Sequence, residues 1–142
     1  MTVKEFLRSV RSQDNLLRAY EQELEDLRHR TYSVSSPRLG DKIQANHLVT
    51  LDEIVAKIEQ QAAKVNAAWD ELIDRRDQAK ALIDKVDDES GRCVLYRYYI
   101  LIQTWEQIAM EMNYTIRRIY QLHGQVLKNL EKDFTKFHYI SL

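Results

Sequence analysis

A length of 142 residues fits about one domain, and three Gly with one Pro are too few turn-formers for a many-stranded fold. With 44% apolar and 30% charged residues, the composition points to long helices, and the net charge of −1 says nothing by itself about a polyanionic partner. One cysteine, Cys93, excludes an internal disulfide and a multi-cysteine zinc site, and no apolar run approaches the ~20 residues that span a bilayer.

From Val3 to Leu27 the apolar residues alternate at spacings of three and four: Val3, Phe6, Val10, Leu17, Tyr20, Leu24 and Leu27. Gln13 is the one polar member of this seam, and the pattern predicts a single helix with a narrow apolar stripe. Glu21, Glu23, Glu25 and Asp26 fall off the stripe and read as a solvated face.

Between Thr31 and Asn46 the pattern breaks, and Ser33, Ser35, Ser36, Pro37 and Gly40 predict a loop. A second helix is expected to restart at Thr50, where Thr50 and Glu53 form a capping-box pattern. Its predicted seam runs Leu51, Val55, Ile58, Ala62, Val65, Trp69, Leu72, Arg76, Ala79, Ile83 and Val86, a stretch of roughly 50 Å at ~1.5 Å per residue. Two seamed helices joined by a loop predict a long antiparallel, coiled-coil-like hairpin over residues 1–87. The second helix outruns the first, so part of its seam stays uncovered within one chain, and a homodimer through the hairpin is one candidate for covering it.

Asp87, Asp88 and Glu89 are placed to cap the next helix, where negative charge suits the N-terminal dipole. That helix, Arg92 to Ile102, is nearly all apolar or aromatic, contains Cys93 as a buried thiol, and reads as a support buried on several sides. Charge also divides here. Residues 1–91 hold 14 Lys and Arg against 18 Asp and Glu, whereas residues 92–142 hold 7 against 4. A basic end on an acidic body suits a nucleic-acid-binding head over residues 88–142.

The segment Thr104 to Leu130 carries the functional signal. Thr104 and Gln107 make a capping box for a short helix ending at Met112, Asn113 and Tyr114 give a tight connection, and Thr115 caps a second helix running past Leu130. Trp105, Ile108, Ala109 and Met112 face inward from the first helix, and Ile119, Leu122, Val126 and Leu130 from the second. Small Ala109 permits the close crossing of a helix-turn-helix. The outer face of the second helix then carries Thr115, Ile116, Arg117, Arg118, Tyr120, Gln121 and Gln125, with Lys128 one turn on. Arg bonds guanine bidentately, Gln does the same with adenine, and Ile meets a thymine methyl. Arg118, Thr115 and Lys128 suit phosphates, which give affinity without sequence information. His123 lies on this helix within reach of a phosphate, and Gly124 sits mid-helix at a cost of about 1 kcal/mol relative to Ala.

Leu95, Arg97 and Tyr98, then Thr-Trp-Glu-Gln-Ile-Ala from Thr104, then Thr115, Arg118, Ile119, Gln121 and Leu122 together resemble region 4 of bacterial sigma factors. The chain as a whole is similar to small phage and prophage proteins of Gram-positive bacteria. These share a coiled-coil N-terminal half, a Ser-Ser-Pro loop and an Arg-x-x-Tyr-x-Leu-His-Gly run, here Arg117, Tyr120, Leu122, His123 and Gly124. The resemblance implies kinship with ArpU-type and RinA-type late-gene regulators, with double-stranded DNA as the partner and RNA polymerase as a further candidate. It also implies that Thr115, Ile116, Arg117, Arg118, Tyr120, Gln121 and Gln125 face DNA. Sigma factors commonly place Arg-Glu where this chain has Ile116 and Arg117, so their promoter preference does not carry over, and no counterpart of the promoter-melting region is present.

His29, His47, His123 and His138 show no metal-ligand spacing with each other or with Cys93, and no glycine-rich phosphate loop exists. The expectation is therefore an all-α, non-catalytic, sequence-specific DNA-binding transcription regulator. It needs no cofactor, metal or membrane, and the N-terminus has no signal-peptide core, which places it in the cytoplasm. Two rivals stand beside it. One is a small terminase-like DNA-packaging subunit, marked by a ring-sized oligomer; the other is a module that grips RNA polymerase without touching DNA.

Overall fold

A computed structural model of the chain describes the backbone of residues 1–34 and 41–140 and the side chains of residues 1–31 and 51–133. Every regular element among them is a helix, in the all-α class expected. These are α1 (Val3–Val34), α2 (Asp41–Ile83), α3 (Glu89–Leu95) continued by a π-helical turn at Tyr96–Ile100, α4 (Trp105–Met112) and α5 (Ile116–Ile140). Reciprocal capping opens α1: Glu5 N donates to Thr2 Oγ1 and Thr2 N to Glu5 Oε2, both at 3.1 Å. Its buried stripe runs Val3, Leu7, Val10, Leu17, Leu24 and Leu27, with Leu7 rather than Phe6 at the second position.

Two features of α2 differ from the sequence reading. The helix starts at Asp41, not Thr50, so the Thr50–Glu53 capping pattern lies inside it. No Gly or Pro separates Asp41 from Thr50, and Gly40 is the last breaker before the helix. Thr31 to Val34 likewise continue α1, while residues 35–40, which hold the rest of the predicted loop, lie outside the described residues. The apolar stripe is also displaced at alternate positions. Ile54 and Gln61 are buried, whereas Val55 and Trp69 are 43% and 38% exposed. A seven-residue repeat through Leu51, Ile58 and Val65 leaves the intervening position free to fall at +3 or +4. Contacts with Tyr20 favour +3: Gln61 Nε2 donates to the Tyr20 carbonyl at 3.0 Å, and the Lys64 ammonium sits 4.3 Å from the Tyr20 ring centroid.

The described chain forms two compact units. One is Asp14–Glu71. The other joins Met1–Gln13 to Leu72–Leu142, so the unit that holds residues 88–142 also takes in the first turns of α1 and the last turns of α2. At the centre of this second unit, Val94, Ile108, Ala109, Ile119 and Leu122 are buried together, with Tyr98, Trp105 and Met112 against them. Val3, Leu7 and Val10 of α1 and Leu72, Ala79 and Ile83 of α2 are buried in the same unit.

The turn from the π segment into α4 is held by arginines. Asp88 occupies the N-cap position of α3 in extended geometry, but its side chain makes no capping bond, contrary to the expected role of the acidic run, and α3 begins at Glu89 rather than Arg92. After Ile100 the chain reverses through Ile102, whose φ of 57° places a β-branched residue in the left-handed region, at a cost of about 1–3 kcal/mol. Carbonyls released at this end are recaptured. Arg11 Nη1 donates to Tyr98 O at 2.7 Å and Gln103 O at 3.3 Å, and Arg76 Nη2 donates to Ile100 O at 3.3 Å. The Arg11 guanidinium also lies 4.0 Å over the Tyr98 ring. Arg11→Met keeps the apolar stem but removes these charged donors, and it is expected to cost roughly 1.5–3 kcal/mol in urea unfolding. An unchanged unfolding midpoint would show that Arg11 does not hold the turn.

Candidate nucleic-acid interface

Three residues connect α4 to α5, and each step of the connection has a local cause. Gln107 N donates to Thr104 Oγ1 at 3.2 Å and Thr104 N to Gln107 Oε1 at 2.9 Å, completing the capping box that starts α4. Asn113 ends it in the left-handed conformation (φ 58°, ψ 39°), which Asn tolerates better than most side chains, and Tyr114 N closes onto Ala109 O at 3.0 Å. Thr115 then caps α5: its Oγ1 accepts from Arg118 N at 3.1 Å. Ala109, buried with Ile108, Ile119 and Leu122, presents only a methyl where the two helices meet.

Because α5 buries Ile119, Leu122, Val126 and Leu130, helical periodicity turns the opposite side outward. Thr115, Ile116, Arg117, Arg118, Tyr120, Gln121, Gln125 and Lys128 are all exposed. They do not share one line. Arg117, Gln121, Gln125 and Lys128 recur at spacings of three and four and form the outer face, while Ile116 and Tyr120 lie on one flank and Arg118 on the other. Tyr120 is half inside this surface: 50% exposed, its ring meets Trp105 edge-on at 5.3 Å.

His123 does not reach outward as expected. Its Nε2 shares a 2.7 Å hydrogen bond with the Tyr99 hydroxyl, and its ring meets Trp105 edge-on at 4.8 Å. Tyr98 stacks on Trp105 at 3.8 Å and completes the aromatic cluster. Burial, with the positive charges of Lys4 and Arg8 nearby, pushes the His123 pKa down to about 4, and burial pushes the Tyr99 phenol up to about 12. Both partners are therefore neutral near pH 7. Arg97 is also internal: it pairs with Glu111 and donates from Nε to Cys93 Sγ at 3.3 Å, tying α3 to α4. Cys93 itself is half-buried, not buried.

The two glycines of this unit serve opposite surroundings. A Cβ on Gly91 would lie 2.9 Å from Val126 Cγ2, so the glycine lets α3 approach α5. A Cβ on Gly124 would meet nothing within 4 Å, so no contact inside the chain requires that glycine. Beside Gly124 runs an open groove lined by Lys4, Gln125 and Lys128 among others. Val3 N donates to both Glu131 carboxylate oxygens at 3.2 Å, which brings the start of α1 against α5. Sequence reading assigned α1 wholly to the hairpin and so did not place Lys4 beside α5. The available signal was the basic spacing Lys4, Arg8, Arg11, a second stripe beside the apolar seam.

Among the described residues no group of His, Cys, Asp and Glu is arranged to hold a metal ion, and no helix is long and apolar enough to cross a membrane. Residues 33–131 match the family model described as "Protein of unknown function (DUF1492)", and the chain belongs to that family. No curated protein and no solved structure gives a significant match.

The pair of glycines gives opposite expectations. Gly91→Ala should lower stability by about 1–3 kcal/mol through overpacking, whereas Gly124→Ala should raise it by about 0.5–1 kcal/mol through helix propensity alone; thermal unfolding measures both. For His123 the folded pKa of about 4 lies below the ordinary histidine value of 6.5. The unfolded chain therefore takes up the proton first, and stability contributed by neutral His123 is lost as pH falls from about 6.5 towards 4. An NMR titration placing the His123 ring midpoint above 6 would contradict the neutral, Tyr99-bonded imidazole.

Proposed function

We propose that this DUF1492 member is a cytoplasmic, non-catalytic transcription regulator of phage or prophage type that binds duplex DNA sequence-specifically through α5. The observation that carries the reading is the exposed face of Arg117, Gln121, Gln125 and Lys128 on a helix whose opposite face is buried. The helix is presented by a three-residue turn from α4, the order of parts of a helix-turn-helix. In a major groove, Arg117 addresses guanine O6 and N7, Gln121 and Gln125 address adenine, and exposed Ile116 meets a thymine methyl. Arg118, Thr115 and Lys128 take phosphates. A second reading, contact with RNA polymerase without DNA, is favoured by Met110 and Tyr114, 79% and 40% exposed beside the same turn.

Selection of bound fragments from random duplex DNA, followed by binding across a salt series, tests the proposal. Arg117→Ala should relax preference at one base pair, removing about 1–3 kcal/mol of discrimination. Arg118→Ala should weaken all sequences alike and reduce the log–log salt slope by about 0.9. Parent-like binding by both variants would reassign the recognition surface, and absence of salt-dependent duplex binding by the parent would favour the polymerase reading.

A further inference from the structure

The exposed cations of the first turns of α1 stand beside α5, on the flank where Gly124 leaves the helix surface bare. Lys4, Arg8 and Arg11 recur at spacings of four and three and therefore share one side of α1. Both ends of this stripe are fixed. At one end Val3 N is bonded to the Glu131 carboxylate of α5; at the other, Arg11 is bonded to the Tyr98 and Gln103 carbonyls. Between these anchors Lys4 and Arg8 are exposed, and among the described residues neither side chain has a hydrogen-bond or ion-pair partner. Glu5, the acid between them, is turned back onto Thr2 N.

Lys4 lines the groove that also holds Gly124, Gln125 and Lys128. Carboxylates line it as well: Asp87, Asp88, Glu131 and Asp133. Of these, Glu131 and Asp133 belong to a later turn of α5, where Glu131 is occupied by Val3 N. Arg8 lies one turn beyond Lys4 on the same side of α1, and its charge, with that of Lys4, opposes protonation of His123, the neighbour of Gly124. The positive charge on α1 thus extends alongside the turn of α5 that carries Gly124.

We propose that Lys4 and Arg8 carry the duplex-facing surface across from α5 to α1 and hold a DNA backbone phosphate over Gly124. The inference rests on duplex binding by α5 and adds a sequence-independent contact from a helix outside the two-helix reading unit. Gly124 leaves this stretch of helix without a side chain, in open space where a Cβ would meet nothing within 4 Å, so a phosphate can approach the backbone there.

Fluorescence anisotropy of a labelled mixed-sequence duplex against the full chain, over a range of KCl concentrations, tests it. Lys4→Gln/Arg8→Gln should bind more weakly at every salt concentration, with a log–log salt slope shallower by about 1.8, two contacts' worth of released counterions. Its base preference should match the parent's. The control Arg30→Gln/Lys57→Gln, which removes equal charge from the Asp14–Glu71 unit, should keep the parent's slope. Lys4→Arg/Arg8→Lys should keep it too, which separates lost contacts from lost structure. If the parent binds duplex and the Lys4/Arg8 variant matches its affinity and slope, the α1 contact is wrong and the α5 reading survives. An equal loss in the control also overturns it, because net charge would then account for the effect. If the parent binds no duplex even at low salt, both fall together.

Discussion

The side of α5 that carries Ile119, Leu122, Val126 and Leu130 is buried against α3 and α4, and this burial decides what the protein presents outward. With about 3.6 residues per turn, a helix that commits one stripe to a core has no freedom left in the direction of the others. Arg117, Gln121, Gln125 and Lys128 face solvent as a consequence, not as a separate feature. The aromatic cluster strengthens the commitment. His123, bonded to Tyr99, and His123 and Tyr120, both edge-on to Trp105, fix the rotation of α5 with directional contacts where aliphatic packing alone would tolerate some slippage.

That cluster depends in turn on the first turns of α1. Tyr98 is held from above by the Arg11 guanidinium, and the same guanidinium takes the carbonyls exposed where the π turn ends. The left-handed Ile102 is sustained in this setting: strain of about 1–3 kcal/mol persists only where surrounding bonds over-determine the backbone. Residues far apart in sequence are therefore joined in one small unit, and cutting the chain at residue 87 would separate Arg11 and Arg76 from the carbonyls they satisfy.

Much of this was legible in the sequence, and the reasons are local. The Thr104–Gln107 box, the Asn113 turn, the Thr115 cap and the inward residues of α4 and α5 are written in spacings of three and four, which the structure follows residue by residue. What escaped reading depends on partners distant in the chain. Thr50 and Glu53 form a capping pattern that goes unused as a helix start because Asp41 to Val49 contain nothing to stop an earlier helix. Val55 and Ile54 are both apolar, so spacing alone does not choose between them, and the buried register is the one in which Gln61 meets the Tyr20 carbonyl. His123 looked like an outward polar residue because the hydroxyl that binds it, Tyr99, lies in another helix.

A chain of net charge −1 gains a cationic face by distributing its charges. On α4, Glu111 is neutralised by Arg97, so it subtracts little from the field above the neighbouring helix. At the later turns of α5, Asp87, Asp88, Glu131 and Asp133 share one groove with Lys4, Lys85, Lys128 and Lys132, four charges of each sign, with Lys4 and Lys128 toward the Gly124 turn. Arg117, Arg118 and Lys128 are exposed on α5, and Lys4 and Arg8 are exposed on α1 beside it. At physiological salt the screening length is about 8 Å, so the charges nearest α5 dominate the field at its surface. The local arrangement, and not the sum over the sequence, sets what a polyanion would meet on approaching α5.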